Sequence, residues 1–342
     1  MDHQKNVDER IAVIGGGSMG TALAKLLAET GREVRIWVRE PEIAEEIERD
    51  RTNRTFLDGF DLPETLSATT SFDSVLDGAS IALSAVPSQF LRGVWERAAR
   101  ALSDQTAVVS ASKGVEVGSA KLISEVLADV VPGDGDRRLA FVSGPSFAVE
   151  VASGSPTAVV AASRSQELVE RVQRLLSTGS FRVYTTDDVV GVELGGALKN
   201  VIALAVGMAE GMGLGHNTRA ALITRGLAEI SRLAVACGAS PLTLAGLAGV
   251  GDLVLTCTGH LSRNLQVGMR LGRGEKLEEI LGAMKMVAEG VETSRSAREL
   301  ARRHEVEMPI AEAVVAILDG RLAPADAVTD LMSRRLRAER EF

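Results

Sequence analysis

The segment IAVIGGGSMGTALAKLLAE, residues 11–29, decides how the N-terminal half of this chain is interpreted. It begins as an apolar strand, continues with the pattern G-x-G-x-x-G at Gly15, Gly17 and Gly20, and then becomes helical. Gly15 permits the tight turn, Gly17 lets a pyrophosphate approach the backbone, and Gly20 lets helix and strand pack closely. The phosphates would lie at the helix N-terminus, where N–H groups and the helix dipole attract anions. We therefore expect a dinucleotide site, against the alternative of a glycine-rich turn without a ligand.

A second strand candidate, EVRIWV at residues 33–38, follows at the distance that a βαβ unit requires. The end of this strand normally carries the side chain that recognises the adenosine ribose. If Arg39 occupies that position, its guanidinium suits a 2′-phosphate and favours NADPH. If the register is shifted by one residue, Glu40 binds the ribose hydroxyl of NADH; a third interpretation leaves Arg39 as a solvated loop residue. We expect NADPH or NADH as the cofactor, with NADPH favoured.

Strands and helices alternate through the first half of the chain. Further strands are expected at 80–86, 106–111, 139–143, 157–162 and 181–184, and helices at 19–30, 88–101, 119–130 and 165–176. This alternation predicts a parallel, doubly wound sheet. After residue 187 the strand signals stop and the pattern is helical. The sequence therefore predicts the α/β class, with a dinucleotide-binding Rossmann-type domain at 1–187 and an all-α, substrate-binding C-terminal domain at 188–342.

One lysine lies in a long uncharged stretch, LGGALKNVIALAVGMA at residues 194–209. The stretch is too apolar for a surface and predicts a buried helix. Gly191, Gly195 and Lys199 recur every four residues on one face, which indicates that a flat ligand or another backbone comes close there. Burial of Lys199 would ease the loss of its proton, as acid/base chemistry requires. The alternative is a lysine whose side chain only extends from a core helix to solvent.

Two further segments follow strands at the edge where Rossmann-type sheets bind ligands. SASKGVE, residues 110–116, places Lys113 just after a strand, although its position alone also fits a surface lysine. SGPSFAVE, residues 143–150, has a turn at Gly144, and Ser146 is placed to cap the next helix. An ordinary strand–turn–helix junction explains this second segment equally well.

The segment GDLVLTCTGHLSRN, residues 251–264, combines a carboxylate with a polar helix start. Asp252 is its only acid. Ser262, Arg263 and Asn264 predict a helix N-terminus beside a guanidinium and an amide, which suits a phosphate or a carboxylate. The alternative is an ordinary N-cap without a ligand.

Composition disfavours several classes of protein. The 342 residues carry a formal charge of −8, so a nucleic-acid partner is disfavoured. The four histidines are widely spread and neither of the two cysteines belongs to a C-x-x-C pair, so no metal site is expected. The first ten residues are polar, and the apolar runs are too short or too charged for a membrane span. We expect a protein of the reducing cytoplasm.

In their order, these motifs resemble the bacterial type of NAD(P)-dependent sn-glycerol-3-phosphate dehydrogenase. The matching segments are GGGSMGTALA (15–24), NRTFL (53–57), AVPSQ (85–89), SASKG (110–114), SGPSFA (143–148), GVELGGALKNVIA (191–203), TRGLAEISRL (224–233), GDLVLTCTGHLSRN (251–264), VAEGVET (287–293) and EMPI (307–310). The resemblance covers nearly the whole chain. It implies reversible reduction of dihydroxyacetone phosphate to sn-glycerol 3-phosphate for glycerophospholipid synthesis. It also implies a homo-oligomer, for which we expect a dimer.

The resemblance implies a role for each matching residue. Lys199 is the general acid in reduction and the base in oxidation, flanked by Lys113 and Asp252. Substrate contacts are expected at Lys113, Gly144, Ser146, Lys199, Asn200, Asp252, Thr256, Ser262, Arg263 and Asn264. Cofactor contacts are expected at Gly15, Gly17, Ser18, Met19, Gly20, Arg39, Lys113, Ala148, Arg263, Val287 and Glu289. Met19 stands where the family usually has an aromatic residue, so we expect altered cofactor affinity with function retained.

Two other functions fit parts of the sequence. A β-hydroxyacid or ketopantoate-type reductase also joins a Rossmann domain to a helical one and uses a lysine. Such an enzyme does not need the phosphate site at Arg263 and Asn264. A redox-sensing protein that binds NAD(P)H without turnover does not need Lys199 beside Asp252.

Overall fold

The computed structural model describes residues 9–284, 287–336 and 338–339. The chain forms two compact units. The first comprises the residues up to Ser112 together with Ile123–Val189, and the second comprises Lys113–Leu122 together with the residues from Val190 onwards. The sequence-based division after residue 187 had assigned Lys113–Leu122 to the first domain. The assignment of cofactor to one domain and substrate to the other stays a prediction.

The first unit contains a mixed sheet with helices. Its strands are β1 (Ile11–Ile14), β2 (Val34–Trp37), β3 (Leu66–Thr69), β4 (Ile81–Ser84), β5 (Ala107–Ser110), β6 (Leu139–Ser143), β7 (Thr157–Ala162) and β8 (Phe181–Thr186). Its helices are α1 (Ser18–Ala28), α2 (Pro41–Asp50), α3 (Phe72–Leu76), α4 (Ser88–Ala98), α5 (Ile123–Val130), α6 (Gly135–Arg138), α7 (Ala148–Ala152) and α8 (Gln166–Leu176), with a 3-10 turn at Ala99–Ala101.

The strand order is β3-β2-β1-β4-β5-β6-β7-β8, with β1 between β2 and β4. The pairs are parallel except β6 with β7. The order reverses direction at β1, which is the switch point where sheets of this kind bind ligands at the carboxyl ends of their strands. The predicted Rossmann-type fold is confirmed, and the glycine pattern lies directly after β1.

Two details of the sheet differ from the prediction. Strand β3 was not predicted, because only Leu66 of its four residues is buried and the apolar pattern is weak. Strand β7 runs antiparallel to β6. The connection between them contains only the five residues of α7 as regular structure, which rise about 7.5 Å. A helix this short does not return the chain along a strand, so β7 starts at the edge where β6 ends.

The second unit is helical, as predicted. Its helices are α9 (Val189–Gly211), α10 (His216–Ala236), α11 (Pro241–Leu244), α12 (Asp252–Thr258), α13 (Arg263–Gly272), α14 (Leu277–Gly282), α15 (Glu289–Arg303), α16 (Pro309–Leu318) and α17 (Pro324–Ser333), with a π-helical turn at Leu247–Gly251. Between α9 and α13, Gly207 lies against Gly268, where an added Cβ would come within 2.9 Å of the opposite Cα. These glycines let the two backbones pack directly on one another.

In the part of the chain that the structure describes, two apolar segments have the length and the composition to cross a membrane. In α9, 89% of the most apolar window is buried inside the protein, as expected of a core helix. The other, Pro241–Thr258, consists of α11, the π-helical turn and α12, and 39% of its window is buried. Neither segment is a clear membrane span.

Candidate active site

The lysine helix α9 is held against the π-helical turn by a glycine. A Cβ added at Gly195 would overlap the carbonyl oxygen of Ala248. The sequence predicted that a flat ligand or another backbone lies close to Gly195. The structure shows that the backbone of Ala248 lies there. The π-helical turn leads directly into Asp252, the first residue of α12, and Lys199 lies one turn beyond Gly195. The glycine contact thus places the carboxylate beside the lysine.

Lys113, Lys199 and Asp252 form a cluster of charged side chains, of which Lys199 and Asp252 are buried and Lys113 is partly buried. Lys113 Nζ donates a hydrogen bond to Asp252 Oδ2 at 2.6 Å, and Lys199 Nζ donates one to Asp252 Oδ1. The side chains of Lys113, Lys199 and Asp252 are 16%, 9% and 1% exposed. Both lysines and the acid were predicted from sequence, and the structure brings them together within the second unit.

The electrostatics of the cluster make the Lys199 proton easier to remove. Burial lowers the pKa of Lys199 to about 8, because the charged form loses its hydration. The Asp252 carboxylate opposes this shift and the Lys113 ammonium reinforces it. Burial raises the pKa of Asp252, but the two ammonium groups outweigh that effect and hold it below its ordinary value. Asp252 is therefore a carboxylate at neutral pH, and the pKa of the neighbouring Lys199 lies close to neutral pH.

Two predicted residues lie next to this cluster in sequence. The Thr256 hydroxyl donates to the Asp252 backbone oxygen at 2.6 Å, one turn earlier in α12. Asn200 follows Lys199 in α9 and is 5% exposed. Cys257 was given no role: burial raises the pKa of its thiol to about 12, so it is protonated at neutral pH.

The predicted phosphate site is a helix N-terminus with side chains fixed around it. Ser262 caps the ten-residue helix α13, accepting a hydrogen bond from Leu265 N at 3.2 Å. Arg263 Nη1 donates to the backbone oxygen of Val287 at 2.7 Å. Asn264 Oδ1 accepts from Gly290 N at 3.0 Å, in the first turn of α15 after Glu289. The predicted residues Arg263 and Val287 are thus in direct contact.

Gly290 supports this group, and sequence reasoning assigned it no role. A Cβ added there would lie 2.7 Å from both Asn200 O and Asn264 Oδ1. Only glycine lets α15 lie this close to both residues. The signal was present in the segment VAEGVET, but a glycine in the first turn of a helix does not by itself indicate what it contacts.

In the first unit, the glycine turn has one open position. Gly15 has a φ of +119°, and an added Cβ would lie 2.9 Å from Ala85 O. A Cβ at Gly20 would overlap Gly15 O. At Gly17 an added Cβ would meet nothing within 4 Å. The protein's own packing therefore explains Gly15 and Gly20, and it leaves the space at Gly17 for the backbone approach that a pyrophosphate needs.

The N-terminus of α1 suits an anion. Gly17 is at the N-cap and has no side chain to accept hydrogen bonds from the first turn. The predicted residues Ser18 and Met19 form that turn, which has no acidic residue. An eleven-residue helix with this start presents a positive dipole end to a phosphate. The residues present therefore fit a dinucleotide.

Arg39 lies two residues beyond β2 and is exposed. Its Nε donates to Glu40 Oε1 at 2.8 Å, so the two residues considered for ribose recognition form an ion pair. The preference between NADPH and NADH stays a prediction.

The segment after β6 differs in one respect from the prediction. Gly144 has a φ of +142°, as a tight turn requires. The Ser146 hydroxyl donates to Gly144 O at 3.0 Å, and α7 starts at Ala148 with Phe147 at the N-cap. The expectation that Ser146 caps the next helix is therefore wrong, because its hydroxyl closes the turn instead. Substrate contacts at Gly144 and Ser146 and a cofactor contact at Ala148 stay predictions.

Comparison with known proteins identifies the family. Two family models match: the N-terminus of NAD-dependent glycerol-3-phosphate dehydrogenase at residues 10–169 and its C-terminus at residues 188–329. A relative from Geobacter sulfurreducens, "Glycerol-3-phosphate dehydrogenase [NAD(P)+]", is 54% identical over 98% of this chain and 100% of its own length.

Solved structures agree with this result. A crystal structure of glycerol-3-phosphate dehydrogenase from Coxiella burnetii superposes with a TM-score of 0.90 and 40% identity, over 95% of this chain and 99% of that one. A ketopantoate reductase from Ralstonia eutropha has a TM-score of 0.60 at 17% identity, over 93% of this chain and 99% of that one, and shares the fold alone. The chain therefore belongs to the NAD-dependent glycerol-3-phosphate dehydrogenase family.

Proposed function

We propose that this protein catalyses the reversible reduction of dihydroxyacetone phosphate to sn-glycerol 3-phosphate with NADPH or NADH. The observation that carries the proposal is the hydrogen-bonded cluster of Lys113, Lys199 and Asp252 in a chain that matches the family over both of its parts. A buried lysine paired with a carboxylate suits proton transfer to a carbonyl oxygen.

Lys199 is the proposed general acid. When bound, the reduced nicotinamide supplies the hydride that adds to C2 of dihydroxyacetone phosphate. The Lys199 ammonium gives its proton to the C2 oxygen, which becomes the hydroxyl of the product. With a pKa of about 8, Lys199 is mostly protonated at neutral pH and still releases its proton readily. In the oxidation direction, neutral Lys199 takes the proton back.

Asp252 and Lys113 support this step. Asp252 accepts hydrogen bonds from both ammonium groups and so fixes where each of them lies. The positive charge of Lys113 favours the negative charge that develops on the C2 oxygen before protonation is complete. Asn200 and Thr256, beside the cluster, are the proposed further contacts with the polar groups of the substrate.

The phosphate of the substrate is the proposed ligand of α13. The N–H groups at its N-terminus and the Arg263 guanidinium suit a dianionic phosphate, and Ser262 and Asn264 complete the group. Gly144 and Ser146 are further proposed contacts with the substrate.

NADPH or NADH is the proposed ligand of the glycine turn. Gly15, Gly17 and Gly20 shape this turn, and the open side of Gly17 supports the assignment. The other proposed cofactor contacts are Ser18, Met19, Arg39, Lys113, Ala148, Arg263, Val287 and Glu289. Arg39 favours NADPH because a guanidinium suits the 2′-phosphate, provided that it leaves Glu40 when the cofactor binds.

The product has the chemistry of a glycerophospholipid backbone, so we propose a biosynthetic role. The proposed compartment is the cytoplasm. The proposed active form is a homodimer, as the resemblance to the family implies. Sedimentation of the purified protein tests this form directly.

The proposal is tested by the loss of NADPH absorbance with dihydroxyacetone phosphate as the substrate. NADH and unphosphorylated dihydroxyacetone are run in parallel. Rapid oxidation that needs the phosphate supports the proposal, and the NADH reaction tests the prediction for Arg39. Equal turnover of the unphosphorylated ketone would favour a β-hydroxyacid or ketopantoate-type reductase. Cofactor binding without any turnover would favour a sensor.

A further inference from the structure

The peptide between Gly16 and Gly17 in the dinucleotide loop joins two glycines. Neither flanking residue has a side chain, so rotation of this peptide meets little steric resistance from its own residues. A phosphate is attracted by backbone N–H groups and repelled by carbonyl oxygens. The orientation of this peptide therefore affects how strongly the loop attracts a pyrophosphate.

A buried amide from outside the loop holds this peptide. Asn53 is 0% exposed, and its Nδ2 donates hydrogen bonds to Gly16 O at 3.0 Å and to Thr21 Oγ1 at 2.9 Å. The Thr21 hydroxyl, also 0% exposed, donates to Gly16 O at 3.2 Å. The Gly16 carbonyl thus accepts hydrogen bonds from Asn53 and Thr21, and Asn53 also holds the Thr21 hydroxyl.

Asn53 is itself held in place by hydrogen bonds within the short segment that contains it. Its Oδ1 accepts from Phe56 N at 3.3 Å, and its backbone oxygen accepts from Leu57 N at 2.8 Å. Because Oδ1 accepts from a backbone N–H, the amide group can only be oriented with Nδ2 towards the loop. The segment NRTFL, for which the sequence indicated no chemical role, thus supplies a donor of defined direction.

A trans peptide is planar, and its C=O and N–H point in opposite directions. With the Gly16 oxygen held towards Asn53 and Thr21, the Gly17 N–H points away from them. We propose that Asn53 is a positioning residue of the cofactor site, which holds the Gly16–Gly17 peptide so that its N–H is presented to the pyrophosphate. This inference rests on the proposed binding of NADPH or NADH. It adds a residue that does not itself touch the cofactor.

The test is the affinity of Asn53→Ala for ligands with and without a pyrophosphate. NADPH and ADP-ribose contain the pyrophosphate, and adenosine 2′,5′-bisphosphate does not. Loss of the two hydrogen bonds predicts about tenfold weaker binding of NADPH and ADP-ribose. Binding of adenosine 2′,5′-bisphosphate should change by less than about twofold, and kcat at saturating NADPH should fall by less than about twofold. A merely structural role would weaken all three ligands alike.

The matched control is Thr106→Val. It removes another buried hydrogen bond of the first unit, from Thr106 Oγ1 to Ala79 O at 2.7 Å, at the amino ends of β4 and β5. Its thermal unfolding midpoint should fall, while its affinity for NADPH should match that of the wild type. If Asn53→Ala does not fold, Thr21→Val decides the question, because it removes one donor to Gly16 O and keeps the side-chain shape. About threefold weaker NADPH binding is then expected.

The outcomes separate this inference from the proposed function. A folded Asn53→Ala with wild-type affinity for NADPH, or with equal losses for ADP-ribose and adenosine 2′,5′-bisphosphate, would overturn the inference alone. Wild-type affinity of Thr21→Val would do so where Asn53→Ala does not fold. A wild-type protein that binds neither NADPH nor NADH would contradict the proposed function and this inference with it.

Discussion

Lys199 donates a hydrogen bond to Asp252 within the helical unit, and the Asp252 side chain is only 1% exposed. Two opposing effects act on the lysine. Burial favours its neutral form, and the carboxylate favours its charged form. The balance leaves the pKa of Lys199 at about 8, where both protonation states are accessible at physiological pH. Replacing one charged neighbour of Lys199 can therefore raise or lower this pKa.

The first prediction concerns the pH dependence of reduction. The rate should fall as the pH rises through the pKa of Lys199, near 8, because the general acid loses its proton. Asp252→Asn removes the charge that raises this pKa, so the fall should move to lower pH. Lys113→Met removes a charge that lowers it, so the fall should move to higher pH. Profiles of kcat against pH for the three proteins measure both shifts, and shifts in the same direction would contradict the electrostatic assignment.

The second prediction concerns Gly195. In Gly195→Ala the new methyl group overlaps the backbone of Ala248 and pushes the π-helical turn away from α9. We expect a loss of about 1–3 kcal/mol in the free energy of unfolding, as is usual for overpacking. Because Asp252 follows this turn, kcat/KM should fall at least about tenfold. Gly282→Ala, where an added Cβ meets nothing within 4 Å, is the control and should lower neither quantity. Wild-type kinetics for Gly195→Ala would show that the turn does not set the position of Asp252.

The third prediction separates two functions of Asn264. Its Oδ1 accepts a hydrogen bond from α15, which leaves Nδ2 as its donor to a ligand. Asn264→Asp keeps the acceptor and adds a negative charge at the N-terminus of α15, so thermal stability should be kept. The KM for dihydroxyacetone phosphate should rise at least about tenfold, because the carboxylate repels the phosphate. Asn264→Ala should lose both stability and affinity. An unchanged KM in Asn264→Asp would remove this residue from the proposed phosphate site.

The fourth prediction concerns stability and a second buried acid. Glu229 accepts hydrogen bonds from Ile310 N at 2.8 Å and Ala311 N at 3.2 Å, at the N-terminus of α16. Burial raises the pKa of Glu229 to about 7, against 4.5 in the unfolded chain, and the hydrogen bonds reduce this rise. The folded state therefore holds the proton more tightly. The stability that this proton confers is complete below pH 4.5 and is lost as the pH rises to about 7.

The loss amounts to at most about 3 kcal/mol, and Glu229→Gln should remove it because glutamine does not titrate. Unfolding midpoints between pH 4 and 8 should fall for the wild type and stay more nearly constant for the variant. Glu312→Gln, an exposed position on α16, is the control and should follow the wild type. Parallel curves for the wild type and Glu229→Gln would contradict the prediction.

Much of this structure was predictable, for physical reasons that particular residues illustrate. Lys199 was identified because a lone charge in an apolar helix stands out, and Asp252 because it is the only acid in its segment. Their direct contact was not derivable, since it depends on how α9 packs against a turn 50 residues later. Strand β3 was missed because its apolar pattern is weak. Strand β7 was predicted, but its antiparallel direction was not, because strand direction depends on how the short connection after β6 folds. The Ser146 prediction failed because a turn competes for the same hydroxyl.

The most direct test of the proposed mechanism is turnover by Lys199→Ala. We predict that kcat with dihydroxyacetone phosphate falls by about two to four orders of magnitude, while the Kd for NADPH changes by less than about threefold. Lys25→Met is the control, because Lys25 is also a buried lysine, 9% exposed, and donates to Ala152 O in the first unit. Its kcat should stay near the wild-type value. Wild-type turnover by a folded Lys199→Ala would contradict the role of Lys199 as the general acid.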